Sequence, residues 1–175
     1  ATIMIGTIRM LNELEAAACY SKWALCGAMG LTYYLEATET EDIDVLVLIP
    51  SSPDHILVDL APLNAELKSR GCVFVGEHVM MAGTPVQFID VAPGSLEAEA
   101  LEHAIETTLQ GERLRVAPLE HLLASSIRLQ RGKDKIRLEK AFTETPDKVD
   151  FARLEDILAR HGLLERYKEF RTRYG

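Results

Sequence analysis

The spacing of apolar positions divides the chain into a first part that alternates helices and strands and a second part that is helical throughout. Ile8, Leu11, Leu14 and Ala18 recur at helical intervals, so residues 7–20 read as an amphipathic helix. Trp23 to Cys26 is a short apolar run stopped by Gly27, a candidate buried strand, and residues 28–36 read as a short helix. Ile43 to Ile49 is rich in branched residues and ends at Pro50, which reads as a central strand. Residues 56–70 place Ile56, Leu60, Leu63 and Leu67 on one helical face, with Gly71 where a C-terminal cap belongs. Residues 72–75, 79–81 and 86–91, separated by glycines, predict a short antiparallel meander. Residues 96–109 read as one helix opened by Ser95, and 114–116 as a strand. Pro118 suits a helix first turn, and from there about four helical pieces break near Gly132, Pro146 and Gly162. The expected class is α+β: a mixed sheet flanked by helices over residues 1–117, followed by a C-terminal helical segment over 118–175.

Length and composition narrow the function. A chain of 175 residues with 47% hydrophobic and 26% charged residues is an ordinary globular composition, not a disordered or collagen-like one. No apolar run reaches the roughly 20 residues that span a bilayer, and no basic start leads into an apolar stretch, so neither a membrane span nor a signal peptide is expected. The first residue is Ala rather than Met, which suggests a trimmed or engineered start. Cys19, Cys26 and Cys72 form no C-x-x-C pair and fit reduced thiols of a cytoplasmic protein. The net charge of −8 excludes a uniformly basic nucleic-acid glove, but it hides an asymmetry. Residues 1–127 carry a net −12 and residues 128–175 a net +4, with Arg128, Arg131, Lys133, Lys135, Arg137 and Lys140 closely spaced. Such a split points to a polyanionic partner or a contact between the two parts.

Candidate chemistry concentrates in Thr40-Glu41-Asp42-Ile43-Asp44. Carboxylates two residues apart on a strand share a face, about 7 Å apart at the backbone, and their side chains can converge on one cation. Acids at the mouth of an apolar strand are costly unless compensated, and Mg²⁺ is the natural compensator beside substrate phosphates. Asp90 ends another apolar strand. Were that strand the neighbour, Asp90 would complete a three-carboxylate cluster able to hold two metals. Gly27-Ala28-Met29-Gly30 follows a strand and opens a helix, a setting in which backbone N–H groups bind phosphate. The five histidines lack metal-ligand spacing and read as surface or helix residues. No Walker, G-x-G-x-x-G or G-x-S-x-G motif is present.

Strand, glycine turn, helix, Asp-Ile-Asp strand and a later strand with a third Asp together resemble the nucleotidyltransferase superfamily of the DNA polymerase β type. Within it, the sequence is similar to the minimal AbiEii/AbiGii toxin-like enzymes. Gly27-Ala28-Met29-Gly30 with Thr38-Glu39-Thr40-Glu41-Asp42-Ile43-Asp44 matches one block. Ser126 with Arg131-Gly132-Lys133-Asp134-Lys135-Ile136-Arg137 matches a second, helical one. The resemblance covers roughly residues 8–160. It departs at Ala28 for a glycine, Thr38 for an Arg, Ser126 for a Lys and Arg137 for an Asp.

The resemblance implies a nucleotidyltransferase-like fold and transfer of a nucleoside monophosphate from a nucleoside triphosphate to a hydroxyl on a protein, an RNA or a small molecule. It implies Mg²⁺ held by Asp42, Asp44 and Asp90, which are also the catalytic residues. It implies a nucleotide held by Gly27, Ala28, Thr40, Arg131 and Lys133. It further implies a toxin or phage-defence role with an antitoxin partner. The alternative is a catalytically weak module that keeps the fold and recognises a nucleotide or a protein, favoured by the missing Arg and Lys. A metal-dependent glycosyltransferase using Asp-Ile-Asp fits the short chain and helical end less well.

Overall fold

The computed structural model describes residues 5–35, 42–50 and 59–174. In chain order these give α1 (Ile5–Ala16), β1 (Lys22–Cys26), α2 (Gly27–Thr32), β2 (Ile43–Leu48), α3 (Ala61–Ser69), β3 (Val73–Val75), β4 (His78–Met81) and β5 (Thr84–Asp90). They continue with α4 (Leu96–Glu102), β6 (Ile105–Leu109), β7 (Glu112–Val116), α5 (Leu119–Leu129), α6 (Gly132–Thr143), a 3₁₀ turn at Pro146–Lys148, α7 (Phe151–Arg160) and α8 (Leu164–Tyr174). Residues 36–41 and 56–58, parts of two expected helices and of the Thr38–Glu41 block, lie outside the described residues.

Seven strands form one mixed sheet in the order β3-β4-β5-β2-β1-β7-β6. The central strand β2 runs antiparallel to β1 and parallel to β5, and β7 lies parallel to β1. Strand alternation sends Val45 and Val47 to one face and Asp44 and Leu46 to the other. The first face packs with Trp23 against Ile8, Leu11 and Leu14 of α1 and Leu63 and Leu67 of α3. Trp23 is fully buried, and its indole N–H donates to Asn12 Oδ1 at 2.9 Å, which fixes α1 on the sheet. The second face packs through Leu46 and Ala24 against α4 and α5, and the same core runs on into Leu138, Phe142, Leu154 and Phe170 of α6, α7 and α8. Each fully buried aliphatic side chain of this kind contributes about 1.5–3 kcal/mol.

Two expectations are corrected. Residues 96–109 are not one helix: α4 stops at Glu102, and Ile105-Glu106-Thr107-Thr108-Leu109 pairs antiparallel with β7. Branched residues in alternation favour the strand, and Gln110 and Gly111, at φ 48° and 85°, make the two-residue turn that closes the hairpin. Pro118 stands one residue before its helix rather than in the first turn. Ser95 does cap α4, accepting from the Ala98 N–H at 3.0 Å.

Candidate active site

β1 and α2 meet at a turn that only glycine fits. Gly27 has φ +62°, and a β-carbon there would collide with the carboxylate of Asp44 and lie 3.1 Å from its Cβ. The register explains the closeness, since Asp44 of β2 stands opposite Cys26 of β1. Further along α2, Gly30 admits Leu122 of α5, whose Cδ1 would be 3.3 Å from an added Cβ. Small residues in α2 thus bring both the acidic strand and the helical segment close to its start.

A cleft of about 480 Å³ opens there. Asp44, Gln87 and Ile89 form its floor, with Asp42, Glu77 and His78 at one lip. Ser125, Ser126 and Arg128 of α5 face it from the helical side, as do Lys133 and Arg137 of α6 and Arg131 just before α6. The structure therefore brings together Gly27, Ala28, Asp42, Asp44, Arg131 and Lys133 of the expected site. Thr40 lies outside the described residues.

Asp90 does not join them. β5 is the parallel neighbour of β2, the condition on which Asp90 would have joined the cluster, but the register pairs Asp44 with Gln87 and Asp90 with Val47. Three residues displace Asp90 roughly 10 Å along the strand, and an odd offset turns it to the opposite face of the sheet. Its carboxyl, raised by burial, is offset by a hydrogen bond from the Ile49 backbone. The place beside Asp44 belongs to Gln87. Among the described residues no three His, Cys, Asp or Glu side chains converge as a metal cluster.

The electrostatics centre on Asp44. Burial pushes its carboxyl above the ordinary range; Lys133 pulls it down, Asp42 pushes it up, and His78 and Arg131 pull it down less. His78 Nε2 lies 3.4 Å from Asp42 Oδ2. Asp134, 2% exposed, accepts from the Arg131 backbone N–H at 3.0 Å and from its Nε at 2.7 Å, and Arg137 Nη1 stands 3.8 Å away. Arg131 is thereby fixed at the cleft, whereas Lys133 makes no ion pair with a described residue. Asp42 and Asp44 supply hard oxygen donors on one face, and the Gln87 amide oxygen is a neutral third. That set fits one Mg²⁺ completed by phosphate oxygens, and it does not fit a three-carboxylate pair of metals.

The sequence reading missed part of the wall. His121 lies on a helix, as one half of the expectation had it, but on the buried face of α5 rather than at the surface. It is 3% exposed, and its Nε2 is 2.7 Å from Glu99 Oε2. Burial pulls its pKa below the ordinary imidazole value and outweighs the opposing pull of Glu99, and its buried Nδ1 has no hydrogen-bond partner among the described residues. Glu97 is bonded to Arg128, and this lowers its carboxyl against the upward push of burial. The available signal was the apolar face of α5, on which His121 and Ser125 lie one turn apart.

No family model matches the chain, and no curated protein does. Solved structures do. An antigenic nucleotidyltransferase-like protein from Paracoccidioides brasiliensis matches at 17% identity and a TM-score of 0.47, over 75% of this chain and 71% of that one. ANT(2'')-Ia in complex with adenylyl-2''-tobramycin matches at 14% identity and a TM-score of 0.50, over 96% of this chain and 98% of that one. The solution structure of the same antibiotic-resistance factor matches at 14% identity and a TM-score of 0.50, over 95% of both chains. The match to ANT(2'')-Ia runs through both the sheet and the helical segment, and the chain accordingly has the nucleotidyltransferase-like fold that its glycine turn and Asp-Ile-Asp strand led one to expect.

Proposed function

We propose that the cleft binds a nucleoside triphosphate with one Mg²⁺ on Asp42 and Asp44, and that the chain transfers the nucleoside monophosphate to a hydroxyl acceptor. One observation carries this reading: a half-buried carboxylate, Asp44, stands against a glycine turn with Asp42 beside it and faces the ammonium of Lys133, which makes no ion pair with a described residue. An acid in that position is unfavourable by itself and becomes favourable when a cation and an anion enter together.

Mg²⁺ would supply charge neutralisation on the phosphates. Lys133 binds the anionic triphosphate from the side opposite the acids and offsets charge that develops on the leaving pyrophosphate. Arg131, held by Asp134, presents its guanidinium along the same wall as Ser126, the residue that the resemblance sets in place of a lysine. Gly27 and Ala28 leave room at the foot of the cleft. Gln87 holds the acceptor or a phosphate by hydrogen bonding, because an amide takes no proton at neutral pH. The acceptor is a hydroxyl of a protein, an RNA or a small molecule, and a toxin or phage-defence role with an antitoxin partner belongs to this same reading.

The second reading, a catalytically weak nucleotide-binding module, is favoured by Gln87 in the place where an acid would accept a proton. Calorimetry with a non-hydrolysable ATP or GTP analogue, with and without Mg²⁺, tests the shared core of both. Binding that needs Mg²⁺ and is lost in Asp42→Asn/Asp44→Asn supports the site; absence of binding to either analogue removes it. Pyrophosphate release then separates transfer from binding alone.

A further inference from the structure

Helical serines and threonines in this chain donate their hydroxyls to backbone carbonyls. Among the described residues, Thr32, Ser69, Thr143 and Thr172 donate to a carbonyl three or four residues back, and Thr7 donates to the Met81 carbonyl. Ser125 and Ser126 of α5 do not. Neither makes a hydrogen bond with a described residue, and neither hydroxyl is sealed from solvent, so both open on the cleft that they line. Ser126 is the deeper of the two, at 5% exposure. A hydroxyl so buried and without a partner is unfavourable by itself and is completed by whatever enters the cleft.

Packing places Ser126 at the acidic end of that cleft. Leu122 lies on Gly30 of α2. Lys133 and Arg131, just beyond the C-terminal end of α5, act on Asp44, and Asp44 presses on Gly27 at the N-terminal end of α2. The two helices therefore run in opposite senses, and the turn that leads from Leu122 to Ser126 leads toward Gly27. Ser126 thus stands across from the glycine turn, on the side where Arg131 and Lys133 hold phosphates in the nucleotide reading. The reaction of that reading needs a hydroxyl, and the chain sets one of its own inside the site.

We propose that Ser126 is itself a nucleotidyl acceptor, so that the chain modifies its own α5 within the cleft. The inference rests on the nucleotide reading. Ser126 Oγ forms a bond to the α-phosphorus, and the bond from that phosphorus to the oxygen bridging to the β-phosphorus breaks. Pyrophosphate leaves with the hydroxyl proton, and no other reactant is consumed. A hydroxyl fixed on a helix beside the bound phosphates acts at high effective concentration. Burial confines the step to the chain's own cleft. The phosphodiester that results keeps the nucleotide in place, which closes the modified chain to a second triphosphate.

Intact-mass measurement after incubation with Mg²⁺ and each of ATP, GTP, CTP and UTP tests this. With at least one of them the 19.5 kDa chain should gain one nucleoside monophosphate, and fragmentation should place it on Ser126. Ser126→Ala, shown to be folded by circular dichroism, should gain nothing, and neither should Asp42→Asn/Asp44→Asn. The rate constant should stay unchanged over roughly a tenfold range of chain concentration, because the step is intramolecular. Calorimetry on the modified chain should show no Mg²⁺-dependent binding of the analogue. Binding of the analogue without any gain in mass overturns the proposal and leaves the nucleotide reading standing, with Ser126 a hydroxyl that only holds phosphate. A label on another residue, or a rate constant that rises with chain concentration, overturns it as well. Absence of binding to either analogue removes the nucleotide reading and this proposal together.

Discussion

Gly27 and Asp44 share one space: the carboxylate of Asp44 occupies the position that a β-carbon on Gly27 would need. The glycine is therefore required twice over, by its φ of +62° and by the acid pressed against it. Gly27→Ala should destabilise the chain by about 1–3 kcal/mol, the sum of left-handed strain and a forced rotation of Asp44. It should weaken binding of a Mg²⁺–triphosphate analogue more than tenfold. Chemical denaturation beside calorimetry separates the two effects. A fully stable Gly27→Ala protein with native affinity would mean that Asp44 moves freely.

Asp44 is held at the cost of stability. Its folded pKa lies above the ordinary 3.8, because burial outweighs the attraction of Lys133 and the other cations. An acid raised in the folded state disfavours folding once it ionises, so the penalty is absent in strong acid and present at neutral pH. Asp44→Asn should therefore raise the neutral-pH melting temperature by a few degrees, equivalent to about 1 kcal/mol, while abolishing Mg²⁺-dependent nucleotide binding. The gain should vanish below pH 3.8. A lower melting temperature at neutral pH would contradict the electrostatic account.

The register of β5 against β2 separates two residues that the sequence alone confuses. Asp90→Asn should leave nucleotide affinity within twofold of the parent, since Asp90 faces away from the cleft beside Val47. Gln87→Asp should place a third carboxylate next to Asp44 and raise affinity for Mg²⁺ several-fold, with faster pyrophosphate release as the acid accepts a proton. The same substitution without bound metal should lower stability, through repulsion between neighbouring carboxylates. Loss of nucleotide binding in Asp90→Asn alone would refute this register.

Glu99 ties α4 to the helical segment. It bonds Arg160 and accepts from His121, and its carboxyl is lowered from 4.5 to about 2, first by the Arg160 hydrogen bond. A carboxylate lowered in the folded state contributes stability above its unfolded constant and loses it as pH falls through the folded one. The chain should thus lose stability steeply between pH 4.5 and 2. His121, lowered from 6.5 by burial, adds an earlier and shallower loss below that value. Glu99→Gln should cost about 1–3 kcal/mol at pH 7 and flatten the steep acid limb in urea titrations run at stepped pH.

Local pattern settled a good deal of this molecule. The branched run Ile43–Ile49 specified a central strand, and two acids at a spacing of two had to share its face, whatever surrounded them. A glycine after an apolar run marked the sharp turn at Gly27, and helical spacing marked α5 to α8. These are properties of a few consecutive residues. Ile105–Leu109 marks the limit, because a hairpin strand borrowed its helical look from α4 and was decided by the turn at Gln110–Gly111 and by pairing with β7. The third position beside Asp44 was beyond sequence altogether. Parallel strands have no turn between them to fix their register, so core packing on both faces decided it, and a shift of three residues exchanged Asp90 for Gln87. The same holds for His121 and Lys133, which meet the cleft only because α5 and α6 pack where Gly30 lets them come close. The chain by itself fixed most of the elements and which acids share a face; pairing and long-range packing decided Ile105–Leu109 and what stands next to the acids.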